Sequence, residues 1–214
     1  MNDTQLLHDG PPDGPVLLLA HGAGAPMDSR FMDTVAGMVA AHGIHVVRFE
    51  FAYMASRRTG GGKKPPSRTP ALLDELRSVL ALLPPGPVFI GGKSMGGRAA
   101  SMLAAQADAP DHIAGVVCLG YPFHPPGKPD KMRTAHLPAI DCPVLIVQGE
   151  RDSFGTRDEV AGWQIPSQIS FHWAPHGNHD LAPPKRAGLS DEDNWSEAAR
   201  AIARFIEAHD AGAS

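Results

Sequence analysis

The segment Pro87-Val-Phe-Ile-Gly-Gly-Lys-Ser-Met-Gly-Gly97 constrains this chain more than any other. An apolar run enters Gly92-Lys93-Ser94-Met95-Gly96, a G-x-S-x-G sequence, and a stretch of small residues from Arg98 to Ala107 leaves it. Strand, sharp turn and helix in that order are the setting in which a serine hydroxyl stands clear of a sheet edge. Glycines on either side of the serine let neighbouring backbone approach without a Cβ clash. In a chain with 23 glycines the pattern draws its meaning from this placement.

The same residues resemble the tail of a phosphate-binding loop, G-x-x-x-x-G-K-[ST]. That loop requires glycine at position 87, where the chain has Pro87, and Gly86 is one residue out of register. Val88, Phe89 and Ile90 then occupy the place of the cradle, and they are strand formers. A phosphate loop follows its strand, so this reading is rejected.

Other apolar runs repeat the alternation of strand and helix that marks a parallel sheet covered on both faces. Val16–Ala20, Ile44–Glu50, Val88–Gly91, Ile113–Leu119, Val144–Gln148 and Ile169–Trp173 are the expected strands. All but the last are near-continuous Val/Ile/Leu runs, as strands buried on two faces require. Ile169, Phe171 and Trp173 alternate, which suits a position near the edge. The expectation is a single domain over residues 1–214, a mostly parallel sheet of about six strands with helices on both faces.

Helix signals fall between these runs. Asp28 is placed to cap a helix with Phe31, Val35, Met38 and Val39 on one face, and Gly43 to end it. Thr69-Pro70 reads as N-cap and first helical residue of a helix stopping before Pro84. Ser190 is placed to cap a last helix carrying Trp195, Ala199, Ile202 and Ile206 at helical spacing. Residues 55–68 and 122–138 read as long irregular stretches, a class often functional in compact domains.

Composition narrows the partners. A net charge of −4 argues against general nucleic-acid binding, and no apolar run reaches membrane-span length. Met1-Asn-Asp-Thr-Gln lacks the features of a secretory leader, so a cytoplasmic location is expected. Cys118 and Cys142 fall in or beside interior strands and read as buried thiols, not a disulfide. His172, His176 and His179 are interrupted by Pro175 and Gly177, so they share no helix face and no metal site is expected.

A serine hydroxyl needs an adjacent base, itself held by an acid, to become a nucleophile. On a fold of this type the partners follow in the order serine, acid, histidine. Asp152 lies just beyond the run ending at Gln148-Gly-Glu-Arg, at the strand edge where open α/β sheets bind ligands; Glu150 is the alternative. His179 lies in the loop between the last strand and last helix, with His176 as alternative. Donors for a developing oxyanion are expected from the amide of Met95 and from the loop after the first core strand, where Ala23 is the choice and Gly24 the alternative.

His21-Gly-Ala-Gly, Gly92-Lys-Ser-Met-Gly-Gly97, Gly149-Glu-Arg-Asp152 and Gly177-Asn-His179 together resemble an α/β-hydrolase across nearly the whole chain. More narrowly, Leu19-Ala-His-Gly-Ala-Gly-Ala-Pro-Met-Asp-Ser29, Gly91-Gly-Lys-Ser-Met-Gly-Gly-Arg98 and Leu119-Gly-Tyr-Pro122 are similar to a small bacterial branch. Its eukaryotic relatives include a testis-expressed protein and a subunit of a histone-acetyltransferase complex. The resemblance implies the α/β-hydrolase fold with Ser94 on the elbow; the chain has no long helical insertion of the kind that forms a lid, so a compact form without a large lid is expected. No cofactor is expected.

Serine at the elbow favours acyl transfer to water from a small-molecule ester or thioester. A scaffold without activity and an acyltransferase are the other readings of the same surface. Between Phe51 and Arg68 five cations (Arg57, Arg58, Lys63, Lys64, Arg68) occur without an acid, so Arg57 and Arg58 are candidate contacts for an anionic substrate. Tyr121, Phe123 and His124 are candidates for the acyl pocket, with a surface corner as the alternative. Lys93 reads as solvent-facing or paired with an acid, with substrate contact as the alternative.

Overall fold

The computed structural model describes residues 5–210 of the 214. The leader reading of Met1-Asn-Asp-Thr falls outside them. Seven strands form one sheet in the order β1-β3-β2-β4-β5-β6-β7. They are β1 (Leu6–Asp9), β2 (Val16–Ala20), β3 (His45–Phe49), β4 (Val88–Lys93), β5 (Ile113–Leu119), β6 (Val144–Gly149) and β7 (Ile169–Ala174). All neighbouring pairs are parallel except β1 with β3. Six strands fall where the apolar runs place them. The seventh, β1, is a short, partly exposed edge strand whose Leu6-Leu7-His8-Asp9 has no continuous apolar run, so periodicity misses it.

Helices cover both faces. α1 (Arg30–Ala40) and α6 (Asp191–His209) pack on one face through Met32, Val35, Val39, Trp195 and Ile202. α2 (Ala52–Arg58), α3 (Thr69–Leu80), α4 (Met95–Ala104) and the short α5 (Arg157–Ala161) lie on the other, through Met54, Leu76, Leu103 and Val160. Burial of such side chains contributes about 1.5–3 kcal/mol each relative to exposure. Ser190 closes a capping box with Asp193 at the start of α6.

Three local expectations shift. Ser29, not Asp28, is the N-cap of α1, because the Asp28 carboxylate is taken by Arg58. Arg68 caps α3, one residue earlier than expected. Residues 55–58 belong to α2, so the irregular stretch begins at Thr59; seven residues are too few for helical periodicity to register.

The chain runs from β2 to β3 on one side and then crosses to β4 on the other, so the strand order reverses at the β2/β4 pair. The connection leaving β2 enters α1 on one face, and that leaving β4 enters α4 on the opposite face. Such a switch point opens a crevice at the carboxyl ends of the strands, where open α/β sheets bind ligands.

Candidate active site

Ser94 sits between β4 and α4 with φ 50° and ψ −110°, a conformation that an L-residue holds only when its surroundings over-determine it. Its amide donates to Leu119 O at 2.9 Å, and its carbonyl accepts from Arg98 N at 2.9 Å. Gly96 explains the tightness of the turn. A Cβ there would lie 2.5 Å from Ala20 O and 2.6 Å from His21 O, so α4 starts directly against the end of β2.

Ser94 Oγ lies 2.9 Å from His179 Nε2, and His179 Nδ1 lies 2.8 Å from Asp152 Oδ2. Asp152 is fully buried and accepts from Phe154 N and from Gln148 Nε2, each at 2.9 Å. A carboxylate on Nδ1 fixes the imidazole tautomer: Nδ1 carries the proton and Nε2 presents its lone pair to the serine hydroxyl. The Phe154 ring lies against the imidazole at a centroid distance of 4.3 Å.

The alternatives lie elsewhere. Glu150 accepts from Arg157 Nη1 at 2.7 Å and from His176 N at 2.9 Å, while the His176 ring is exposed. Their backbones stitch the two loops together, helped by Arg151 N donating to Gly177 O at 2.8 Å.

The histidine loop is clasped from beneath. Asn194 Nδ2 donates to Pro175 O and Leu181 O, and Trp195 Nε1 to Asp180 O, all from α6. Lys93, whose side chain is only 9% exposed, reaches His179 O at 2.8 Å and Asp180 Oδ1 at 3.2 Å. Burial pushes its ammonium below the ordinary value, and Asp180 opposes that shift. The elbow and the histidine loop are therefore tied by a charged bond as well as by Ser94.

At the start of α4 the Met95 N–H has no intrahelical acceptor, as at every helix N-terminus, and points along the positive end of the helix dipole. The loop carrying Ala23 is fixed by two side chains. His21, fully buried, donates from Nδ1 to Gly22 O at 2.6 Å and accepts at Nε2 from Phe51 N at 3.1 Å. Tyr53 Oη donates to Ala23 O at 3.0 Å. Burial pushes His21 below its ordinary value of 6.5, consistent with a neutral ring holding both bonds.

The basic candidates have partners of their own. Arg58 binds Glu50 through Nε and Nη2, each at 2.7 Å, and Asp28 at 2.8 and 2.9 Å. These bonds use four of the five guanidinium N–H donors. Arg57 stacks on Tyr53 and donates to Lys64 O. Tyr121 is fully buried, its hydroxyl donating to Arg133 O at 2.9 Å, so its ring lines no open surface. Phe123 and His124 are likewise buried.

Gln148 and Phe154 escape the sequence reading. The signal for Gln148 was present: an amide at the end of an all-apolar strand is a buried polar group in need of partners. It finds Asp152, Tyr121 and Gly155.

This fold and this hydrogen-bonded chain of serine, histidine and aspartate define a class, and the comparisons agree with it. The chain belongs to the alpha/beta hydrolase domain family, whose model matches residues 13–207. It is similar in structure to the esterase Est1E from Butyrivibrio proteoclasticus, described with ferulic acid bound. The TM-score is 0.67 at 16% identity, covering 96% of this chain and 95% of that one. A dienelactone hydrolase from Anabaena variabilis gives a TM-score of 0.71 at 18% identity, covering 97% and 94%. The thioesterase domain of the curacin biosynthetic pathway gives 0.65 at 17%, covering 97% and 96%. At these identities the likeness is one of fold.

Proposed function

We propose that the protein is a serine hydrolase that cleaves a small-molecule ester or thioester through an acyl-enzyme. The observation that carries this reading is the chain from Asp152 through His179 to Ser94, at 2.8 and 2.9 Å, with the serine on a strained turn. His179 Nε2 takes the hydroxyl proton as Ser94 Oγ attacks the carbonyl carbon. The negative charge on the carbonyl oxygen is received by the amides of Met95 and Ala23. His179 then returns the proton to the departing alcohol or thiol. In the second half-reaction it deprotonates water, which releases the acid and restores Ser94. Asp152 holds the imidazole and stabilises its charged form throughout.

Within the family, the elbow and oxyanion-loop motifs favour the small bacterial branch noted above. We further read residues 1–214 as one domain acting in the cytoplasm; among the described residues no helix is long and apolar enough to cross a membrane.

A fluorophosphonate probe tests the reading. Wild type is expected to be labelled and to turn over p-nitrophenyl esters, whereas Ser94→Ala loses labelling and about 10⁶-fold in kcat. Folded wild type that neither labels nor turns over esters or acyl thioesters would overturn the reading in favour of a scaffold.

A further inference from the structure

Arg98 and Arg133 stand out among the half-buried arginines. Arg48 is paired with Asp9 and Asp33, and Arg58 with Asp28 and Glu50. Arg98 and Arg133 are half-buried, between the buried Arg48 and the exposed Arg58, yet among the described residues neither guanidinium has a hydrogen bond or an ion pair. Arg98 Nε is itself buried without an acceptor. Among the described residues Arg57 Nε and ring nitrogens of His45, His124 and His172 are open as well, but the Arg57 guanidinium still donates to Lys64 O, whereas that of Arg98 makes no hydrogen bond at all. A buried donor left open marks a place for a missing acceptor.

The two guanidiniums feel each other. Burial, and then the charge of Arg98, pushes Arg133 below its ordinary value. The same two causes, in the same order, push His136 down to about 4, so its ring is neutral near pH 7. Two cations kept together, half out of water and without a counterion, favour the arrival of an anion.

Their place relative to Ser94 gives the pair its meaning. Arg98 lies on α4 one turn beyond the serine and donates its amide to Ser94 O. Arg133 is presented by a fixed backbone: its amide donates to Phe123 O at 2.7 Å, and its carbonyl accepts from the buried Tyr121. A bond of 2.9 Å between His136 Nε2 and Ser101 Oγ fastens this segment to α4.

We propose that Arg98 and Arg133 form the receiving site for an anionic group, a carboxylate or a phosphate, carried by the substrate that Ser94 attacks. This rests on the serine-hydrolase reading. Planar guanidinium forks match both oxyanions bidentately, and such charge-assisted bonds are stronger than neutral ones. The anion preference that the sequence pattern assigns to Arg57 and Arg58 moves to these two residues.

The test uses substrates of matched length and different charge. Wild type is expected to show a kcat/KM for p-nitrophenyl hemisuccinate at least about tenfold above that for p-nitrophenyl butyrate. If the recognised group is a phosphate, butyryl-CoA is preferred to the butyryl thioester of N-acetylcysteamine by a similar factor. Either ratio should fall by about tenfold in Arg98→Gln and in Arg133→Gln, and recover in part in Arg133→Lys. Wild-type ratios below about twofold in both pairs, or a preference that survives both substitutions, would overturn the proposal. Thermal shifts of Ser94→Ala with succinate and with inorganic phosphate separate the two readings. Stabilisation that is lost in Ser94→Ala/Arg133→Gln, without turnover by wild type, supports the anion site and sinks the hydrolase. Turnover of charged and neutral esters alike does the reverse.

Discussion

At the corner after β3, Arg58 is shared by the carboxylates of Glu50 and Asp28, and His21 and Tyr53 spend their polar atoms on backbone. At the corner after β4, Ser94 is strained, its hydroxyl faces a lone pair on His179, and Arg98 has no partner. Both corners sit at the carboxyl edge of neighbouring parts of one sheet. One is held by ion pairs; the other is left open and carries the proposed chemistry. Cation density in the sequence pointed at the first corner because five positive residues cluster there. What separates the two is not the number of charges but which of them already have carboxylates.

The largest expected effect comes from breaking the open corner. Asp152→Asn leaves the geometry in place but offers Nδ1 an amide that binds the wrong tautomer as readily as the right one. A kcat loss of about 10³- to 10⁴-fold is expected from steady-state kinetics, with thermal stability changed far less. A loss below about tenfold would show that Asp152 does not orient His179.

Breaking the closed corner has the opposite signature. Arg58→Ala strands Glu50, whose side chain is 3% exposed, without its main partner. Denaturant titration should show a loss of about 1–3 kcal/mol, held down by the 36% exposure of Arg58 itself. Hydrolysis of charged and neutral esters should change by the same factor. A selective loss on the charged ester would return Arg58 to the substrate site.

The smallest effect is read from pH and sits at the seam between the corners. His21 accepts from Phe51 N only while neutral, and burial lowers its pKa from 6.5. The unfolded chain therefore binds the extra proton first, so stability is full above 6.5 and is lost as pH falls below it. His45 and His172 are lowered by burial in the same direction, so the informative quantity is the difference between proteins. His21→Asn should give a shallower fall of the melting temperature below pH 6.5 than wild type. Parallel curves would mean that His21 does not contribute.

Most of the architecture was written in local pattern. Near-continuous Val, Ile and Leu runs gave β2 to β6 because strands covered on both faces need no alternation. β1 was not legible, since its four residues are defined by pairing with β3, some forty residues on. α2 was hidden by its shortness. The order of Ser94, Asp152 and His179 along the chain was readable from the loops that end each strand. Asp152 and His179 were preferred to Glu150 and His176 from their place in those loops, and the distances of 2.8 and 2.9 Å bring the preferred pair to Ser94.

The sequence by itself determined the strand–elbow–helix unit, the alternating sheet and a short list of reacting side chains, because each depends on neighbours within a few residues. Only the tertiary structure decided which charges are spoken for. Asp28 and Arg58 are 30 residues apart, Lys93 reaches a carbonyl 86 residues away, and no local pattern carries that information. Ion pairs form wherever the fold brings opposite charges together, and that same long-range pairing leaves the guanidiniums of Arg98 and Arg133 without a carboxylate.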